Sequence, residues 1–186
     1  MRRLSSFNFI TLNGYYKGLH DDISWHDHTQ EGRNFSEENL KPRHALLFGR
    51  RTYEMMQAFW CSDQAMQQMP EITQGMHESP KYIFSRSLQK TDWENSTLVK
   101  EDLLDFVRKL KQTEGPDLTI LGSGEILAQL ADAHLVDHYD IMLDPVILGG
   151  GGTIFQGIRS TQNLRLVSQR SFENGAMLLS YEVRNT

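Results

Sequence analysis

Three short stretches of this 186-residue chain place basic, hydroxyl or glycine residues directly after an apolar run. In LLFGRRTYE the run ends at Gly49 and leads into Arg50, Arg51 and Thr52. In YIFSRSL it leads into Ser85, Arg86 and Ser87, and in LTILGSGEIL into Gly122, Ser123, Gly124, Glu125 and Ile126. Guanidinium groups offer fixed charge and paired donors to phosphate oxygens. A helix start adds unpaired backbone N–H groups, and glycine lets a ligand approach the main chain. Singly, arginines at a helix start are mostly solvated and a glycine turn is mostly a turn. Jointly, after three separate strands, they suit a ligand with several phosphates, one of them a monoester. NADP answers that description.

Reduction by such a ligand also needs a group that handles a proton. The loop ISWHDHTQE offers Trp25, His26, Asp27 and His28. Trp25 can stack on a heteroaromatic substrate. Asp27 is the first choice for relaying a proton and His26 the second, against the bland alternative of a solvated polar loop. His26-x-His28 would need two further ligands from distant segments, and His134 and His138 form no HExxH pattern, so no metal is expected. PVILGGGGTIF holds four consecutive glycines, Gly149 to Gly152. They read either as a flexible connection or as a side-chain-free wall beside a bound ring.

Around these loops the pattern is α/β. Ser6 to Leu12 alternates as a strand and ends at Asn13-Gly14. Gly18 to Glu31 is polar and reads as a loop, and Phe35 to Arg43 reads as a helix capped by Ser36. HALLFG, KYIFSRS and LTILG are short buried-type strands, each ahead of a helical or irregular stretch. Residues 61 to 80, rich in Met, Gln and Ser, read as an irregular excursion with at most a helical turn or two. EDLLDFVRKLKQ carries apolar residues at helical spacing, with acids first and lysines last. His138 to Leu143 is a further strand, and Glu173-Asn174-Gly175 joins two final strands as a hairpin. The sum is one domain, residues 1 to 186, with a mostly parallel sheet and an antiparallel C-terminal hairpin.

Composition narrows the partners. Net charge is −5 and the pI about 5.8, a poor match to nucleic acid. No apolar run reaches membrane-spanning length, and one cysteine, Cys61, permits no internal disulfide, so a cytoplasmic setting is expected. Gly122-Ser123-Gly124 with Asp144 downstream could open a Rossmann fingerprint, but Leu127 takes the third glycine position and only 42 residues follow Asp144.

In order, LLFGRRTYE, YIFSRSL, LTILGSGEIL, PVILGGGGTIF and the final hairpin with Gly175 resemble the dihydrofolate-reductase-like superfamily. Within it the chain is similar to the reductase domain of the bifunctional riboflavin-biosynthesis deaminase-reductase and its stand-alone bacterial relatives. The resemblance implies a dihydrofolate-reductase-like three-layer α/β/α sandwich, a homodimer, and NADPH lying across the strand ends. It implies that Gly49, Arg50, Arg51 and Thr52 take the 2′-phosphate and pyrophosphate, with Ser85 and Arg86 at the adenine end. Gly122, Ser123, Gly124, Glu125 and Ile126 would carry pyrophosphate and ribose. Thr11 and Asn13 would lie by the nicotinamide, with Gly150, Gly151 and Gly152 across the cleft. The expected activity is reduction of a small heteroaromatic or carbonyl substrate; a module that binds NADP(H) without catalysis is the alternative. One departure stands out: the first strand ends in Asn13-Gly14 where this branch carries Asp-Gly, and an amide cannot trade a proton as a carboxylate does.

Overall fold

The computed structural model describes residues 1–40 and 44–184. The chain opens with β1 (Leu4–Thr11) and β2 (Tyr15–Lys17), then a single tight turn at Leu19–Asp21 and α1 (Gln30–Leu40). Next come β3 (Ala45–Gly49), α2 (Arg50–Trp60), α3 (Asp63–Gln68), α4 (Pro70–Glu78), β4 (Lys81–Phe84) and β5 (Ser96–Val99). After them follow α5 (Leu103–Gln112), β6 (Leu118–Leu121), α6 (Gly124–Asp132) and β7 (His138–Asp144). The chain closes with β8 (Gly152–Thr153), β9 (Leu164–Ser171) and β10 (Met177–Val183).

Eight of the strands form one sheet in the order β5-β4-β3-β6-β1-β7-β10-β9, and β2 pairs separately with β8. The first six strands of that order run parallel; β10 runs antiparallel to both its neighbours. Alternation along β3 shows how the layers divide. Ala45 and Leu47 pack with Val107, Leu110, Leu127 and Leu130 of α5 and α6, whereas Leu46 and Phe48 pack with Tyr53, Ile72 and Met76 of α2 and α4. Phe7 and Phe9 of β1 meet Phe35 of α1 on that second face. Helices therefore cover both faces, and the strands between them carry the continuous apolar runs such a position demands. The expected three-layer α/β/α sandwich with its antiparallel hairpin is present.

Three local expectations are corrected. Residues 61–80 are not irregular: Ser62 caps α3 by accepting from Ala65 N–H, and Pro70 opens α4 at its first turn. The helix expected from Phe35 starts at Gln30, because Thr29 Oγ1 accepts from Gly32 N–H; Ser36 instead donates back to the Gly32 carbonyl. Its expected end at Arg43 lies outside the described residues. Finally, Ser96–Val99 forms an edge strand that its short, mixed sequence did not signal.

Candidate active site

Parallel pairing brings the three loops to one line. Gly49 of β3 is the register partner of Phe84 of β4, so Arg50 and Ser85 leave the sheet side by side. Leu47 pairs with Ile120 of β6, which puts Gly49 level with Gly122. Phe7 of β1 pairs with Leu121, and Thr11 with Asp144 of β7. At about 4.8 Å between strands, the four steps from β4 to β7 span roughly 19 Å. Along that line runs a cleft of about 980 Å³, lined by Arg50, Arg51, Thr52, Ser85, Arg86, Gly122, Ser123, Gly124, Glu125 and Ile126 among others.

The glycine loop is built to stay open. Gly122 has φ +66°, and Ser123 sits in the left-handed region at φ 49°. Ser123 Oγ accepts from Gly49 N–H at 3.1 Å, which ties the β3 and β6 junctions together. Asn8 Nδ2 donates to the Gly122 carbonyl at 2.9 Å, while Asn8 Oδ1, buried in the same wall, has no partner. The Tyr16 ring lies over Gly124, where a Cβ would come within 2.7 Å of it. Burial pushes the Tyr16 phenol upward, Lys17 opposing.

Acids share the cleft but are mostly engaged. Glu54 pairs with Arg50 at 3.3 Å, Asp21 lies 2.5 Å from Lys17 Nζ and 3.8 Å from Arg51, and Asp102 caps α5. The Arg86 guanidinium bonds to no described residue, so at the β4 end positive charge is uncommitted.

Other expected residues lie elsewhere. Thr11 is fully buried; its hydroxyl donates to Asn13 Oδ1 and accepts from Tyr15 N–H. Asn13 in turn clasps the Leu148 backbone, donating to its carbonyl at 2.8 Å and accepting its N–H at 3.2 Å. Both residues are fasteners between β1 and the glycine run. An Asn13→Asp change keeps the acceptor and loses the donor, leaving a carboxylate facing a carbonyl oxygen. It is expected to cost about 1 kcal/mol, measurable by urea unfolding. Gly150 and Gly151 are not on the cleft wall: Gly150 meets Leu19 and Gly151 meets the Lys17 backbone. Asp27, the first choice for the proton, is exposed and outside the cleft.

At the far end of the cleft lies His26, the second choice for the proton. His26 Nδ1 lies 2.9 and 3.1 Å from the two carboxylate oxygens of Asp144, which is 2% exposed. Phe9 stacks on the imidazole at 3.6 Å, and His28 approaches it edge-on at 4.7 Å. Trp25 lines the cleft beside them. Packing, together with His26 and Arg33, holds His28 below the usual imidazole value. Asp144, which in sequence stood at the downstream position of the incomplete Rossmann pattern, has its partner 118 residues away. Among the described residues no His/Cys/Asp/Glu group could hold a metal ion, and no helix is long and apolar enough to cross a membrane.

The family model of the RibD C-terminal domain matches residues 2–178. The chain belongs to that family. A fellow sequence, the uncharacterized protein YyaP of Bacillus subtilis strain 168, is 25% identical over 174 residues, covering 92% of this chain and 90% of YyaP. In structure the chain is similar to a putative riboflavin biosynthesis protein from Shewanella sp. PV-4, with TM-score 0.76, 19% identity and full coverage of both chains. It is also similar to the diaminohydroxyphosphoribosylaminopyrimidine deaminase/5-amino-6-(5-phosphoribosylamino)uracil reductase of Thermotoga maritima, with TM-score 0.70 and 14% identity over 98% of this chain and 57% of that one. Within this RibD C-terminal domain fold, β3, β4 and β6 deliver the basic and glycine loops, and β1 and β7 deliver the aromatic and histidine end.

Proposed function

We propose that this RibD C-terminal domain protein is an NADPH-dependent reductase of a small heteroaromatic or carbonyl substrate. The supporting observation is that Arg50, Arg86 and Ser123, from three separate strand ends, line one cleft. The residues fit the cofactor. Gly122 lines the cleft without a side chain just ahead of α6, Arg50 and Arg51 stand at the start of α2, and Asn8 presents a buried acceptor with no partner among the described residues. Arg50, Arg51 and Thr52 would hold the 2′-phosphate, Ser85 and Arg86 the adenine end, and Gly122 to Ile126 the pyrophosphate and ribose. Bound there, NADPH supplies a hydride. The chain's part is to align the cofactor along the strand ends and to seat a flat substrate by Trp25. The reaction of 5-amino-6-(5-phosphoribosylamino)uracil reductase, for which the Thermotoga relative is named, is a specific instance of this class.

Titration of purified protein with NADPH, followed by nicotinamide fluorescence, tests the proposal. Arg50→Ala should weaken NADPH by about 1–3 kcal/mol and NADH far less. Absence of binding at tens of micromolar, or equal losses for both dinucleotides, would refute it. A second reading, an NADP(H)-binding module without turnover, is favoured by Asn13 being committed to Leu148 and Asp27 lying outside the cleft. It predicts the same binding with no substrate reduced.

A further inference from the structure

We propose that His26, clamped through Nδ1 by Asp144, is the group that protonates the substrate, and that the substrate end of the cleft takes a planar unsaturated carbonyl compound without a cationic group. This deepens the reductase reading and rests on it.

The clamp fixes which nitrogen does chemistry. Both Asp144 oxygens face Nδ1, and a buried carboxylate needs a donor, so Nδ1 carries the proton given to it. Exchange is then left to Nε2, which bonds to no described residue. Phe9 stacked on one face of the ring, and the two bonds at Nδ1, oppose its rotation. The site is also in the right place: Asp144 closes β7, next to β1 and beyond the glycine loop from Arg50.

The surroundings select the substrate. Phe7, Phe9, Ile23 and Trp25 give this end flat apolar walls. Its acid, Asp144, is consumed by His26, and His28 and Arg33 lie close by, Arg33 donating to the His28 carbonyl at 2.8 Å. Among the described residues no unpaired carboxylate lines the cleft at this end, so a cationic ring gains little there; a neutral or anionic carbonyl finds a donor. The step balances. The carbonyl carbon would gain the hydride as the C=O π pair moves to oxygen, while His26 in its imidazolium form, protonated on both nitrogens, gives its Nε2 proton to the O–H bond and is left as the neutral Nδ1–H tautomer. The carbonyl would leave as an alcohol against oxidation of NADPH to NADP⁺, and a solvent proton taken up at Nε2 restores the imidazolium.

Two measurements test this. In protein labelled with nitrogen-15 histidine, with and without NADPH, His26 should show the Nδ1-protonated tautomer. Asp144→Asn should release it, because an amide donates as readily as it accepts. In the second, NADPH oxidation is followed with menadione, benzil and para-nitrobenzaldehyde. At least one should be reduced. His26→Gln should lower kcat by about 100-fold or more while NADPH affinity moves less than about twofold, and Asp144→Asn should lower kcat at unchanged KM. The proposal is overturned by a neutral His26 whose single proton sits on Nε2, by His26→Gln retaining its kcat, or by Asp27→Asn losing as much as His26→Gln. NADPH binding with no carbonyl reduced overturns it alone and leaves the binding module standing. Absence of NADPH binding overturns the reductase reading as well.

Discussion

Gly151→Ala is expected to remove about 3 kcal/mol or more of folding stability and to lower Tm by about 6–12 °C. Gly151 holds φ +148°, a conformation that side chains rarely adopt, and a Cβ there would sit 2.0 Å from the Lys17 carbonyl oxygen and 3.0 Å from the Gly18 Cα. Both obstacles are backbone, so no rotamer relieves them. The strand pair would have to part, since Lys17 and Gly152 are register partners of β2 and β8. Parting it moves Tyr16, whose ring covers Gly124 at the start of α6. Loss of stability and weaker dinucleotide binding are thus expected together. Gly150→Ala is the control: its Cβ would meet only the Leu19 side chain at 3.6 Å, and a change within about 0.5 kcal/mol is expected. Thermal melts of the two variants settle the point; equal melting temperatures would refute it.

The second large effect is on stability against pH. Lys81 is 1% exposed, yet its ammonium donates only to the His77 and Ser79 carbonyls, at 3.1 and 2.7 Å, and lies 4.6 Å over the Trp93 ring. Burial pushes it down to about 8, with Glu94 and Cys61 opposing. Because the folded value lies below the unfolded one, the unfolded chain binds more protons across the window between them. Stability therefore rises with pH from about 8 towards about 10.5, by up to roughly 3 kcal/mol from this group. The Cys61 thiol, raised chiefly by its own burial, works in the opposite sense over part of that window. Comparison with Lys81→Met isolates the lysine: its urea-unfolding free energy should lack the rise. Parallel profiles for the two proteins would show that Lys81 keeps an ordinary affinity for its proton.

The basic and glycine-rich end of the cleft was legible because its signals are local. Arg50, Arg86 and the Gly122-Ser123-Gly124 bend each follow an apolar strand within a few residues, and parallel pairing does the rest. The histidine end was legible only in part. Nothing in the sequence around Asp144 points to His26, because the pair is formed by a loop folding back across the ends of β1 and β7. With that partner hidden, Asp27 looked the first choice, although it is exposed and does not line the cleft. Asn13 misled in the opposite direction: its position suggested chemistry, and its amide proved to be a two-sided clasp on Leu148. The glycine run read either as a flexible connection or as a wall beside a bound ring, and at Gly151 it makes a close approach to the Lys17 backbone, which composition alone cannot distinguish. In residues 61–80 the missing cue was periodicity, but Ser62 and Pro70 carried usable start signals for α3 and α4.

The position of β1 has a consequence for biosynthesis. Its first residue, Leu4, pairs with Leu118, and its last, Thr11, with Asp144. During synthesis β1 must therefore wait until β7 (His138–Asp144) has been made before both its neighbours exist. During that interval its Phe7 and Phe9 edges are unsheltered, and long-range parallel pairing is intrinsically slow. Truncated products ending before β7 should carry no partial dinucleotide affinity, measured by the same NADPH titration.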